Sequence, residues 1–223
     1  TALITNVAIQ KTTFKYEIPY MLLITAVLLV MGMTGNEITF IEGVILWILF
    51  IAYLLYLYLL AKKGNDSGDE QSVKLYPVWK CLLFIVLGGV CVVIGSQLVV
   101  NGATTIARAC GMSERFIGLT IVAFGTSLPE LVTSVSAARK GNAGIAIGNI
   151  VGSNIFNILF VIGTVALICP VPFESRFVID TVVAILCGVL LWGGTIRHKE
   201  LRKPCGVVML LCYAAYFVYL AAM

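Results

Sequence analysis

"FGTSLPELVTSVSAARKGNAGIAIGNIVGSNIFN", residues 124–157, decides the fold. Apolar runs flank it on both sides, yet its middle holds a proline, a carboxylate and several hydroxyls and amides. A lipid-crossing helix needs about 20 mostly apolar residues. Two such spans fit here, 116–139 and 145–168, joined by a tight turn carrying Arg139 and Lys140. At a rise of about 1.5 Å per residue, Glu130 lies roughly 14 Å into the membrane, and Ser153 and Asn157 reach about 12–20 Å from the loop near Gly144. Thr126 and Glu130 share a face by their i, i+4 spacing, and Asn149, Ser153 and Asn157 form a second stripe. Pro129 lacks an N–H and collides with the carbonyl of Gly125. Carbonyls near Ala123 and Gly125 are thereby freed, and lipid offers them no partner.

Composition supports a chain solvated by lipid. It is 60% hydrophobic and 12% charged, against about 25% charged in a soluble domain. Mean hydropathy is +1.03. The seven cysteines (81, 91, 110, 169, 187, 205, 212) form no CxxC pair and lie mostly in apolar runs, where cysteine acts as a small hydrophobe.

Working outward gives seven spans: 18–34, 40–61, 77–104, 116–139, 145–168, 177–195 and 206–222. The first has the shortest apolar run. Residues 62–76, "KKGNDSGDEQSVKLY", read as a flexible linker. Twelve Lys and Arg fall on one side of these spans (11, 15, 62, 63, 74, 80, 139, 140, 197, 199, 202, 203) and three on the other (108, 115, 176). Positive charge is retained inside. The N-terminus and linker are therefore expected in the cytoplasm and the C-terminus outside. The net charge of +4 is a topology signal, not a nucleic-acid patch.

The chain also resembles itself at an offset of about 163 residues. "ALITNVAIQKTTFKYE" (2–17) aligns with "ALICPVPFESRFVID" (166–180) with one gap, and Gly43, Tyr53, Tyr56 and Leu57 align with Gly206, Tyr216, Tyr219 and Leu220. The assigned topology inverts the two copies, the common plan of secondary transporters. Residues 1–61 then hold the last two helices of a first repeat and 77–223 a five-helix second repeat. The expectation is a fragment whose counterpart of 124–157 is missing.

A carboxylate, hydroxyls, an amide oxygen and bare carbonyls are hard oxygen donors, suited to Ca²⁺ with its 6–8 oxygens. Intramembrane carboxylates are functional by default. Glu130 brings one negative charge against two positive, so an inverted counterpart would supply the second. Asn149, Asn154 and Ser127 have a second reading, as hydrogen bonds between helices.

"GTSLPELVTS" followed by "GNIVGSNIFNI" resembles the second alpha repeat of the sodium/calcium exchangers in the cation/calcium exchanger superfamily, with the repeat at 116–168. The resemblance implies an all-α, ten-helix inverted-repeat (5+5) fold. Here 1–61 resembles helices 4 and 5, and 77–223 helices 6 to 10. It implies Glu130 as a principal ligand of Ca²⁺ and Na⁺, hydroxyls from Thr126, Ser153 and Ser127, the backbone carbonyl of Ala123, and Asn157 beside the central site. Many members carry Asp at that last place in one repeat, so Asn157 argues against potassium dependence. The short linker resembles that of microbial exchangers.

The expected function is Ca²⁺/Na⁺ antiport by alternating access in the plasma (inner) membrane, with no enzyme activity and no cofactor. The missing alpha repeat or a second chain is the expected partner. Three alternatives stand beside it. A proton-coupled antiporter would use the same carboxylate. An intramembrane hydrolase with Ser127 or Ser153 as nucleophile lacks a base, since the sole histidine, His198, is far from both in sequence. A non-transporting assembly subunit would bind Ca²⁺ without moving it.

Overall fold

The structure is a computed structural model that describes residues 2, 6–64, 77–112, 114–196 and 199–222. Most of the expected linker (65–76) and His198 lie outside the described residues. In chain order the elements are β1 (Val7–Ala8), a π-helical turn (Thr13–Glu17), α1 (Ile18–Gly35), β2 (Glu37–Ile38), α2 (Phe40–Gly64) and α3 (Val78–Ala109). Then follow α4 (Glu114–Ile117), a second π turn (Gly118–Val122), α5 (Ala123–Thr126), α6 (Leu128–Arg139), α7 (Ala143–Phe156) and a third π turn (Asn157–Ile162). The chain closes with α8 (Gly163–Ile168), β3 (Val171–Pro172), α9 (Ser175–Ile196), β4 (Glu200–Leu201) and α10 (Lys203–Ala222).

Among the described residues, five helices are long and apolar enough to cross a membrane: Thr13–Gly35, Phe40–Lys63, Val78–Ala109, Gly144–Ile168 and Ser175–Ile196. A bent pair, Thr120–Thr126 and Leu128–Arg139, meets at 49° and is apolar and long enough for a sixth span if its two halves are taken together. The seventh expected span falls on α10, whose apolar part, Lys203–Tyr219, is shorter than the rest. The span expected at 77–104 extends to Ala109. Large apolar side chains such as Ile41, Ile48 and Ile51 on α2, and Leu82, Ile85 and Leu98 on α3, are exposed. A lipid solvent makes that arrangement favourable.

The chain forms two compact units. The first comprises Thr1–Gly68 and Ser134–Cys212. In it α1 packs on α9 and α2 on α8, around a core that includes Ile18, Ile24, Leu46, Ile147, Ile155 and Leu159. Thr39 caps α2 reciprocally: Glu42 Oε2 accepts the Thr39 N–H at 2.7 Å, and the Glu42 N–H donates to Thr39 Oγ1 at 3.5 Å.

Contacts in this unit are exchanged between its two ends. β1 pairs with β4 (Val7 with Leu201) and β2 with β3 (Ile38 with Val171), so each end lends one strand to the other. The N–H of Ile9 donates to Lys199 O at 2.9 Å, and that of Phe173 to Asn36 O at 2.7 Å. Asn36 and Lys199, 163 positions apart, are the two non-glycine residues with positive φ among those described, at 56° and 52°. A Cβ on Gly43 would lie 3.0 Å from Ala166 Cβ, and one on Gly206 2.9 Å from Ala2 Cβ. Each contact thus has a twin 163 or 164 residues away.

The change from 164 to 163 marks the single gap in the sequence match, and the π turn explains it. One extra residue in a helix is accommodated as a wide i→i+5 turn. The first copy has such a turn at Thr13–Glu17, while α9 begins as a regular α-helix at Ser175.

The second unit comprises Asp69–Thr133 and Tyr213–Met223. α3 packs on the 118–122 turn and on α5. It ends in a Schellman turn, with Gly111 left-handed (φ 78°) and the Met112 N–H donating to Ala107 O at 3.1 Å. Gly125 lies against Val100, whose side chain would have to shift to admit a Cβ there.

A broken helix and two polar half-sites

The break at 126–128 follows from Pro129, the second residue of α6. In an unbroken helix the Ser127 N–H would bond to Ala123 O. Here it turns to Phe124 O (3.1 Å), with Ser127 at φ −93°, ψ 0°. The Ala123 carbonyl is thus released from its helical donor, as expected from the sequence. Pro129 has no N–H to offer the Gly125 carbonyl, which the break frees as the sequence also led one to expect. Thr133 Oγ1 donates to Pro129 O at 2.8 Å and secures the first turn beyond the break.

Four of the six expected site residues, Ala123, Thr126, Ser127 and Glu130, stand on this break, in the second unit. Glu130 Oε2 is shielded from solvent, while Thr126 and Ser127 are exposed. Thr126 and Glu130 also make polar interactions.

The other two, Ser153 and Asn157, belong to the first unit. Ser153 is half-buried and its hydroxyl donates to Ile150 O at 3.1 Å; Asn154 Nδ2 donates to the same carbonyl at 2.8 Å. Asn157 is exposed and opens the π turn that ends at Ile162. A π turn follows Asn157 just as one precedes Ala123. Such turns are rare and frequent at functional sites, because they rotate side chains out of helical register.

Asn149 ties α7 to the end of α6. Its Nδ2 donates to Ser134 Oγ at 3.1 Å, and Ser134 Oγ donates to Ala146 O at 3.3 Å. Ser134 is 1% exposed. Sequence reasoning passed over Ser134, although its position four residues after Glu130 was a usable signal. The helices turn back through a second Schellman turn, with Gly141 at φ 80° and the Asn142 N–H donating to Ala137 O at 2.9 Å.

Glycines permit close helix approach, and the sequence places several in this region. Only Gly125 of the four at 118, 125, 148 and 152 makes a close approach among the described residues. Gly148 and Gly152 line a cavity of about 500 Å³, with Glu17, Tyr53 and Phe156. Among the described residues no three His, Cys, Asp or Glu side chains cluster to hold a metal. An ion here would depend on hydroxyl, amide and carbonyl oxygens for most of its shell, the donors a hard cation prefers.

Residues 80–222 match the family described as sodium/calcium exchanger protein. A putative antiporter, CaxA, of Alkalimonas amylolytica is 34% identical over 97% of this chain and 70% of its own length. The sodium/calcium exchanger MaX1 of Methanosarcina acetivorans is 38% identical over 63% of this chain and 41% of its own. Among solved structures, the sodium-calcium exchanger NCX_Mj soaked with Na⁺ and Sr²⁺ superposes with a TM-score of 0.78 at 30% identity, covering 97% of this chain and 69% of that one. Sequence and fold agree, and the chain is an integral membrane protein that belongs to the sodium/calcium exchanger family.

Proposed function

We propose that the chain carries one half of the cation site of an antiporter that exchanges Ca²⁺ for Na⁺. The observation that carries this reading is the shielded Glu130 carboxylate on a proline-broken membrane helix, in a member of an exchanger family. Glu130 is the charged ligand; Thr126 and Ser127 lend hydroxyls and Ala123 its released carbonyl. By the shared depth argued from the sequence, Ser153 and Asn157 complete the set. The second carboxylate comes from an inverted counterpart of 124–157, in the same protein or a second chain. The exchanged strand pairs and the twin left-handed residues support that inversion, and with it a division into 1–61, 62–76 and 77–223. The lysine and arginine count supports an N-terminus in the cytoplasm, with the protein in the plasma (inner) membrane.

Exchange follows from competition. One set of oxygens binds either Ca²⁺ or Na⁺, and alternating access exposes it to each side in turn. In vesicles, ⁴⁵Ca²⁺ uptake driven by an outward Na⁺ gradient should vanish in Glu130→Gln. Uptake at the unsubstituted rate would remove Glu130 from the mechanism. Uptake driven by a proton gradient and indifferent to Na⁺ would favour the proton-coupled reading.

A further inference from the structure

A cavity of about 280 Å³ lies between α1 and α2 in the first unit, and none of the six residues assigned to the cation site lines it. Four tyrosines, 16, 20, 53 and 56, line it together with Glu17, Leu49 and Ala52. The rings form a continuous wall. Tyr20 stacks on Tyr53 (5.5 Å between centroids, 10° between planes), Tyr53 on Tyr56 (6.2 Å, 26°), and Tyr16 tilts against Tyr56 (6.2 Å, 56°). Tyr20 is fixed by donating its hydroxyl to Leu49 O at 2.9 Å. The Tyr56 hydroxyl is shielded from solvent and has no hydrogen-bond partner among the described residues. None of the ion pairs among those residues involves Glu17.

We propose that this cavity binds an alkylammonium cation, free or as the headgroup of a lipid. Ring faces attract cations within about 6 Å of their centroids, and groups of aromatic rings receive quaternary ammonium groups; Glu17 adds an acid to the same lining. Lys15 shows the attraction on one of these rings, with its Nζ 5.3 Å from the Tyr16 centroid. The volume falls just below the roughly 300–1,000 Å³ of drug-sized sites and so fits a small headgroup. Depth agrees as well: Tyr56 is about 9 Å of helix from Lys62, where aromatic belts meet headgroups. Lys11, Lys15, Lys62 and Lys63 would stand near the phosphate of a zwitterionic lipid.

The feature is local and does not follow from the repeat alone. Glu17, Tyr53 and Tyr56 recur 163 residues on as Asp180, Tyr216 and Tyr219, but Tyr16 and Tyr20 become Ile179 and Val183. The π turn that ends at Glu17 is likewise confined to the first copy. Two additional rings and a rotated register distinguish the cage from its counterpart.

The proposal is independent of the exchange reading, and its test reads binding, not transport. Tetramethylammonium is titrated calorimetrically into the full-length protein in detergent. Saturable binding is expected, weakened about tenfold or more by Glu17→Gln and by Tyr53→Leu. Tyr53→Phe keeps the ring face and should bind within about threefold of the unsubstituted protein; it also shows that loss in Tyr53→Leu is not misfolding. Asp180→Asn should change nothing. Native mass spectrometry from phosphatidylcholine and phosphatidylglycerol nanodiscs then identifies the source. Retained phosphatidylcholine that blocks tetramethylammonium indicates a lipid headgroup, and tetramethylammonium binding unaffected by lipid indicates a free amine. Absence of saturable binding, or binding equal in Glu17→Gln, overturns the proposal.

Discussion

Gly43→Ala places a single methyl where α2 crosses α8, and the structure fixes what it meets. The new Cβ lies 3.0 Å from Ala166 Cβ, 3.1 Å from Gly163 O and 3.2 Å from Leu167 N. Two of the three are backbone atoms, so no side chain can swing aside and the helices must move apart. Overpacking of this kind costs about 1–3 kcal/mol. Replacing glycine by alanine within a helix returns about 1 kcal/mol, so the net change is a loss of up to about 2 kcal/mol. Gly193→Ala, in α9 of the same unit, is the control. Nothing lies within 4 Å of its Cβ, and it should gain up to about 1 kcal/mol. The same substitution at two glycines should therefore separate the variants by about 1–3 kcal/mol. In a chain of this size that is roughly 2–12 °C in melting temperature. Thermal unfolding of the purified protein at one fixed scan rate reads the difference, because irreversible melting depends on rate. If Gly43→Ala melts with or above Gly193→Ala, the close crossing of α2 and α8 is wrong.

Three further expectations follow. Lys199→Gly should stabilise by about 1 kcal/mol, since lysine at φ 52° carries a left-handed strain that glycine lacks; Asn36→Gly should gain less, because asparagine tolerates that region, and paired melting curves decide. Ser134→Ala removes the acceptor of Asn149 Nδ2 and should cost about 1–2 kcal/mol of stability; a Ca²⁺ uptake rate that fell while stability held would instead mark Ser134 as part of the ion path. The Arg108 side chain donates to Glu114 and holds its carboxyl below the ordinary value of 4.5. A depressed carboxyl contributes stability above the unfolded pKa and loses it as pH falls through the folded one; a carbonyl-carbon NMR titration should show Glu114 titrating below 4.5, and Arg108→Gln should bring it back.

What the sequence made legible, and what it did not, divides along the range of the interactions. Pro129 predicts a break because its missing N–H and its ring act on residues four positions away, and the helix parts at Ser127 as expected. The freed carbonyls of Ala123 and Gly125 follow from the same local rule. Gly118, Gly148 and Gly152 show the limit of local rules: a small residue permits close approach, but what approaches is decided by distant parts of the chain. The repeat is the instructive case. A single gap in an alignment of apolar helices carries little information by itself, yet the fold gives it a physical form in the turn at Thr13–Glu17. An inserted residue rotates everything beyond it by about 100° unless the helix widens to absorb it. The widening lets α1 keep its packing against α9 while Tyr16 and Glu17, within the turn, leave helical register. A sequence difference that looks like noise between two copies is therefore where the first copy acquires chemistry absent from the second. If the extra residue were deleted, the turn should revert to regular α-helix and Tyr16 and Glu17 should leave the cavity. The deletion variant should then melt close to the parent protein while losing tetramethylammonium binding. A large loss of stability with binding intact would show that the turn serves packing instead.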